Sequence, residues 1–160
     1  MGFLFSKPQP TQTMSLWEGV TVVDADGNKH SAPEYLKDKV VAIYFSAGWC
    51  PPCRAFTPKL KKFYEALKEA NQNFEVVFIS RDRSAEDLVE YYKDHHGKWL
   101  YVEYNPEFVD AWRAKFDVKT IPALKVVKPD GTVVVQDART EVAQKGGDAV
   151  ALLEEWKAFL

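Results

Sequence analysis

Two cysteines stand close together in the string Trp49-Cys50-Pro51-Pro52-Cys53, and they are the only cysteines in the chain. A lone pair of thiols at this spacing can close a disulfide and open it again, which is the chemistry of thiol–disulfide exchange. The string follows the apolar run Val40–Phe45 and precedes a stretch with helical spacing. The sequence therefore predicts a redox site at a strand-to-helix junction.

The position of each cysteine suggests its role. We expect Cys50 just before or at the first turn of the helix, where unpaired backbone N–H groups stabilise a thiolate and lower its pKa to roughly 3.5–7.5. Cys53 follows on the same helix face, within reach for a disulfide with Cys50. In the expected mechanism Cys50 attacks a substrate disulfide and Cys53 resolves the mixed disulfide. Arg54 either adds positive charge beside the pair or points to water.

The elements predicted around this string indicate an α/β fold. From Pro52 to about Ala70 apolar residues recur at helical spacing, which predicts an amphipathic helix that Pro58 should kink. Further strands are predicted at Val20–Val23, Phe74–Ile79, Ala123–Val127 and Thr132–Gln136. Further helices are predicted at Pro33–Leu36, from Ser84 onward, at Pro106–Phe116 and at Asp148–Phe159. In the last helix, the residues expected to face inward are Val150, Leu153, Trp156 and Phe159. This order describes a mixed central sheet with helices on both faces.

A second feature lies at Ile121-Pro122, where the chain enters a strand after a short loop. Proline cannot serve a central ladder position, so Pro122 belongs at a strand start, and X–Pro is the only common site of a cis peptide bond. A cis Pro122 packed against Cys50 would leave nearby backbone polar groups free to pair with an extended substrate segment.

Taken together, these residues resemble the thioredoxin superfamily. The string Trp49–Pro58 reads WCPPCRAFTP and is similar to the WCPPCR-x-FTP pattern of the tryparedoxin and nucleoredoxin branch, and Phe74–Ser80 followed by Asp82-Arg83-Ser84 is similar to nucleoredoxin-like members. The resemblance covers about residues 35–136. It implies a thioredoxin fold, disulfide reduction by the Cys50–Cys53 dithiol and a cis Pro122. The residues expected to support substrate binding are Trp49, Pro51, Pro52, Arg54, Ile121 and Pro122.

The chain departs from the patterns of the proteins it resembles at two places. Many thioredoxins carry a buried acid six residues before the first cysteine, where this chain has Tyr44, so a different proton path is implied. Tryparedoxins tend to show Trp-Asp-Glu where this chain has Arg81-Asp82-Arg83, which argues against trypanothione as the reductant. Asp82 is either a helix cap or a proton-relay acid, and the sequence leaves both open.

Other readings of these residues are less favoured. Zinc would require two further ligands beside the cysteines, and His30, His95 and His96 lack the usual spacing. His95-His96 is interpreted as a solvated helix end, Trp49 as an exposed ring beside the thiols, and Trp99, Trp112 and Trp156 as core.

Length and charge limit the remaining possibilities. The 160 residues predict one domain, with a flexible lead-in over residues 1–15 and a single thioredoxin-like domain over residues 16–160. The 21 basic and 23 acidic residues leave a net charge of −2, which disfavours nucleic-acid binding. The apolar run Met1–Phe5 is too short for a signal or membrane span, so a cytoplasmic or nuclear setting is expected.

These observations favour a dithiol enzyme over other classes. Its expected partners are protein or small-molecule disulfides and an upstream reductase or low-molecular-weight thiol, with no cofactor. The alternative is a redox-switched binding adaptor of nucleoredoxin type. A peroxiredoxin would need a Pro-x-x-x-Thr-x-x-Cys frame, which this chain lacks.

Overall fold

The computed structural model describes residues 15–160. Apart from Ser15, the predicted lead-in over residues 1–15 lies outside the described residues. The strands are β1 (Thr21–Val23), β2 (Lys29–Ser31), β3 (Val40–Ser46), β4 (Phe74–Ser80), β5 (Leu100–Tyr101), β6 (Ala123–Val127) and β7 (Val133–Val135). The helices are α1 (Ala32–Tyr35), α2 (Pro51–Glu69), α3 (Ala85–His95), α4 (Pro106–Lys115), α5 (Ala138–Lys145) and α6 (Ala149–Lys157).

All seven strands form one mixed sheet in the order β2-β1-β5-β4-β3-β6-β7. The central strands β3 and β4 run parallel, and every residue of both is buried. Runs that are almost entirely apolar are typical of strands covered on both faces, and Glu75 is the one charged residue in these two strands. β6 pairs antiparallel with the other side of β3, and β7 continues as a hairpin. The predicted thioredoxin fold is confirmed.

Two apolar clusters cover the two faces of the sheet. Alternate residues of β3 point to opposite sides, so Ala42 and Tyr44 join one cluster while Val41 and Ile43 join the other. The first cluster packs against α2, α3, α5 and α6, and the second against α1 and α4. The tryptophans that were predicted to be core are buried: Trp99, Trp112 and Trp156.

The fold brings two loops together at one sheet edge. Since β3 and β4 are parallel and Ser46 pairs with Ser80, the segments that follow these strands leave the sheet side by side. The backbone N–H of Arg81 donates to the Ser46 carbonyl at 2.9 Å and extends this pairing. The cysteine string follows β3, so the residues after β4 are its neighbours.

The end of the chain differs from the prediction. α6 begins after its N-cap Asp148 and buries Leu153 and Trp156, but Val150 is 38% exposed and Phe159 58% exposed. Phe159 lies beyond the last helical residue, and Val150 faces away from the cluster, so assigning both to the inner face was wrong.

Helix α5 was not predicted at all. Only two of its eight residues, Ala138 and Val142, are buried. So few buried residues give no repeating apolar stripe from which a helix could be recognised.

Within residues 15–160, no helix combines the length and the apolar character needed to cross a membrane.

Candidate redox site

Cys50 is the N-cap of α2. Its backbone is extended, with φ −97° and ψ 109°, and its carbonyl accepts the N–H of Arg54 at 3.0 Å. The prolines Pro51 and Pro52 occupy the first helical turn, where a missing N–H leaves no hydrogen bond unmade. The N–H of Cys53 donates to Cys50 Sγ at 3.3 Å. A negative charge on this sulfur would therefore meet both an N–H group and the positive end of the helix dipole.

The two cysteines form a disulfide, with their Cα atoms 5.2 Å apart. Their environments differ. Cys50 retains 5% exposure, whereas Cys53 is completely buried, and both contact a small apolar cluster with Ala47 and Ile121. Of the two residues, only Cys50 retains exposed surface.

The loop before β6 lies beside Cys50. The Ile121 carbonyl oxygen is 3.8 Å from Cys50 Sγ, and the Ile121–Pro122 peptide bond is cis. Pro122 is buried and directly precedes β6, while Ile121 stays partly exposed. The sequence expectation of a strand-start proline near the first cysteine agrees with this placement.

Trp49 lies on the surface next to the disulfide, with 47% of its area exposed. Its indole N–H donates to the Arg81 carbonyl at 3.0 Å, and the Arg83 guanidinium lies 5.4 Å from the ring centroid. The ring is thus held against the segment that follows β4, while much of its surface stays exposed.

Arg54 folds back over the cysteine loop. Its guanidinium donates to the Gly48 carbonyl at 3.3 Å and lies 3.2 Å from His95 Nε2. The side chain is exposed, so its guanidinium both contacts the loop before Cys50 and faces solvent.

Asp82 is not a helix cap, because the side chain of Ser84 caps α3 by accepting the N–H of Asp87. The Asp82 carboxylate is buried and accepts the N–H of Gly48, two residues before Cys50. The structure therefore brings Asp82 to the cysteine loop and excludes the capping role.

A cluster of four buried hydroxyl groups lies under the start of α2. Thr57 Oγ1 is its centre, at 2.7 Å from both Tyr44 Oη and Tyr91 Oη, while Ser46 Oγ is 2.7 Å from Tyr91 Oη. Thr57 donates to the Cys53 carbonyl at 2.9 Å, so it must accept the two tyrosine protons. Burial raises the pKa of Tyr44 far above its usual range, and the cluster is therefore uncharged.

Sequence reasoning singled out Tyr44 but missed its partners. Tyr91 is 34 residues from Thr57 along the chain, and no local pattern connects the two. The only available signal was the tyrosine at a position where many thioredoxins have an acid.

The interpretation of His95-His96 as a solvated helix end was wrong for His96. This residue is 6% exposed, and its Nδ1 accepts the indole N–H of Trp99 at 3.0 Å. Aromatic rings surround it, namely Tyr44, Phe78, Tyr91, Tyr92 and Trp99. His95 is partly exposed and faces Arg54.

A groove of about 460 Å³ runs from Trp49 and Arg54 along α3. Arg83 and three acidic residues of α3 line it: Asp87, Glu90 and Asp94. Among residues 15–160, no group of three or more histidine, cysteine or acidic side chains is arranged to hold a metal ion.

Comparison with known proteins gives a consistent result. A family model described as Thioredoxin-like matches residues 38–133. The chain is 41% identical to probable nucleoredoxin 1 of Arabidopsis thaliana over 84% of its own length, but that match spans only 23% of the relative. It is 42% identical to the tryparedoxin of Trypanosoma brucei brucei, over 68% of this chain and 75% of the relative.

Solved structures extend the comparison. A thioredoxin from Wuchereria bancrofti superposes with a TM-score of 0.76 at 41% identity, over 90% of this chain and 98% of the other. Tryparedoxin II complexed with glutathionylspermidine superposes with a TM-score of 0.72 at 40% identity, over 80% of this chain and 88% of the other. The chain spans about a quarter of the length of the curated nucleoredoxins it matches.

Proposed function

We propose, since this chain belongs to the thioredoxin-like family, that it is an oxidoreductase that reduces disulfides through Cys50 and Cys53. The observation that carries the proposal is the difference between the two sulfurs. Cys50 is the N-cap of a helix and retains some exposure, whereas Cys53 is fully buried and bonded to it. A nucleophile needs access, and a resolving thiol needs only its partner.

The reaction proceeds in two exchanges. In the reduced protein the Cys50 thiolate attacks one sulfur of the substrate disulfide, forming a mixed disulfide and releasing the first substrate thiolate, which takes up a proton. Cys53 then loses its proton and attacks Cys50 Sγ, releasing the second substrate thiolate and leaving the disulfide between Cys50 and Cys53. Two electrons pass to the substrate, and an upstream reductase or low-molecular-weight thiol restores the dithiol.

The surroundings of Cys50 support each exchange. The Cys53 N–H and the N-terminal end of α2 favour the thiolate. Trp49 and the partly exposed Ile121 flank Cys50 and offer an aromatic face and a backbone carbonyl to an extended substrate. The likeness to a tryparedoxin that binds glutathionylspermidine supports a small thiol as one partner. We assign the working domain to residues 16–160.

The direct test is reduction of insulin disulfides in the presence of dithiothreitol, followed by turbidity. The wild-type protein should accelerate the reaction, and Cys50→Ser should abolish the acceleration. In a separate single-turnover reaction with pre-reduced protein and no dithiothreitol, Cys53→Ser should stop after one exchange and accumulate a mixed disulfide at Cys50. Full activity of Cys50→Ser would contradict the mechanism.

The same variants distinguish a redox-switched binding adaptor. An adaptor would hold its partner without a covalent bond, with an affinity that depends on the redox state of the pair. Partner retained by Cys53→Ser but released by reductant indicates a mixed disulfide and favours the enzyme. Partner bound by the wild-type protein in only one redox state, with no covalent adduct detected in Cys53→Ser, favours the adaptor.

A further inference from the structure

We propose that Asp82 is a positioning residue that fixes the loop before Cys50 by holding the Gly48 peptide group, rather than a proton relay. The inference rests on the proposed exchange at Cys50. It assigns a structural cause to the efficiency of that exchange, and it concerns a residue that never touches the reacting sulfurs.

Both carboxylate oxygens of Asp82 already accept hydrogen bonds. Oδ1 accepts the Gly48 N–H at 2.8 Å, and Oδ2 accepts the Ser80 hydroxyl proton at 2.6 Å. The N–H of Asp82 donates to the same Ser80 oxygen at 2.8 Å. The side chain is 7% exposed, so few other orientations are open to it. Its contacts describe a residue held in one place.

Gly48 lets the loop approach this carboxylate. A Cβ atom at Gly48 would lie 3.0 Å from Tyr91 Cβ and 3.4 Å from Asp82 Oδ1. The backbone therefore passes between these two side chains where a larger residue would push it away. On the opposite side, the Arg54 guanidinium donates to the Gly48 carbonyl at 3.3 Å. Both peptide groups of Gly48 are thus bound by charged side chains.

The same loop has further contacts with the segment after β4. Arg81 N–H donates to the Ser46 carbonyl, and the Arg81 carbonyl accepts the indole proton of Trp49. Gly48 lies between Ser46 and Trp49 in this loop, and its backbone N–H is held by the Asp82 side chain. Without it, the Gly48 N–H would lose its acceptor, the loop just before the nucleophile would be held less tightly, and Cys50 would spend less time in reactive geometry.

A matched pair of substitutions separates positioning from proton transfer. Asp82→Asn keeps an oxygen for the Gly48 N–H but cannot take up a proton at pH 7, whereas Asp82→Ala removes both. Asp94→Ala, which removes an exposed acid from the same groove, controls for the change in charge. For each reduced protein we would measure kcat/KM for insulin and the rate of Cys50 with 5,5′-dithiobis(2-nitrobenzoate) between pH 5 and 9.

Positioning predicts that Asp82→Ala lowers both rates about tenfold, the factor expected for a lost hydrogen bond to a charged group. Asp82→Asn and Asp94→Ala should stay within about twofold of wild type with the same pH profile. Hydrogen exchange at the Gly48 amide should be faster in Asp82→Ala and unchanged in Asp82→Asn. If Asp82→Ala does not fold, Ser80→Ala, which removes the bond to Oδ2, should give a smaller loss in the same direction.

A proton relay would instead give equal rate losses in Asp82→Asn and Asp82→Ala, and one of the ionisations seen in the wild-type pH profile would be missing from both variants. That result would overturn the proposal. Unchanged rates in Asp82→Ala would overturn it as well. These failures are distinct from failure of the proposed function, which would appear as an inactive wild-type protein.

Discussion

Acidification should destabilise this protein through His96. Burial lowers the pKa of the His96 imidazole from 6.5 to about 3, with a smaller contribution from neighbouring His95. The rings around it offer no negative charge, and its Nδ1 already accepts the Trp99 indole proton. A protonated imidazole would have to give up that bond and bring a charge into an aromatic cluster.

The magnitude follows from proton linkage. Below pH 6.5 His96 is protonated in the unfolded chain, whereas in the folded protein it stays neutral down to about pH 3. A folded-state pKa below the unfolded value means that stability is present above pH 6.5 and is lost as the pH falls, by about 1.4 kcal/mol per unit. Between pH 7.5 and pH 5 this amounts to about 2 kcal/mol.

The assay is urea unfolding of the oxidised protein at several pH values, with His96→Phe as the comparison. Phenylalanine fills the same aromatic site without titrating. It leaves the Trp99 indole N–H without an acceptor, and the resulting loss of unfolding free energy is the same at every pH. Carboxylate titrations common to both proteins cancel in the difference. The difference in unfolding free energy should shift in favour of His96→Phe by about 2 kcal/mol as the pH falls from 7.5 to 5. A constant difference, or an NMR titration of His96 near pH 6.5, would refute the reasoning.

Two further outcomes are expected for buried polar groups, both measured by urea unfolding of the oxidised protein. Thr57→Val should lower the free energy of unfolding by about 1–3 kcal/mol because it leaves the Tyr44 hydroxyl without a partner. The double variant with Tyr44→Phe should lose less than the sum of the two single variants, because both single changes break the same bond. Strictly additive losses would contradict the shared bond. Burial raises the pKa of Glu75 above 4.5, so its contribution to stability is present below pH 4.5 and is lost as the pH rises through the folded-state value. The free energy of unfolding of Glu75→Gln, relative to that of wild type, should therefore increase from pH 4 to pH 7. Parallel curves of unfolding free energy against pH would contradict this.

The sequence predicted the residues of the site better than their polar partners. Cys50 and Cys53 could be placed at a strand-to-helix junction because an apolar run, a proline pair and helical spacing are all local signals. The bond from Gly48 to Asp82 joins residues 34 positions apart, and periodicity does not report which buried side chain accepts which proton.

His96 shows the same limit at a single position. A polar residue at the end of an amphipathic helix is normally solvated, and here the rings of Tyr44 and Phe78 from the central strands help to cover it. These two strand residues lie outside any helical window around His96, so local spacing did not reveal that the imidazole is buried.

The burial of Cys53 has a consequence for the fate of a captured partner. A free thiol in solution meets the mixed disulfide only from the side of Cys50, while the internal competitor is permanently in place behind it. In the proposed exchange, the lifetime of a mixed disulfide is therefore expected to depend on attack by Cys53 more than on attack by thiols in solution.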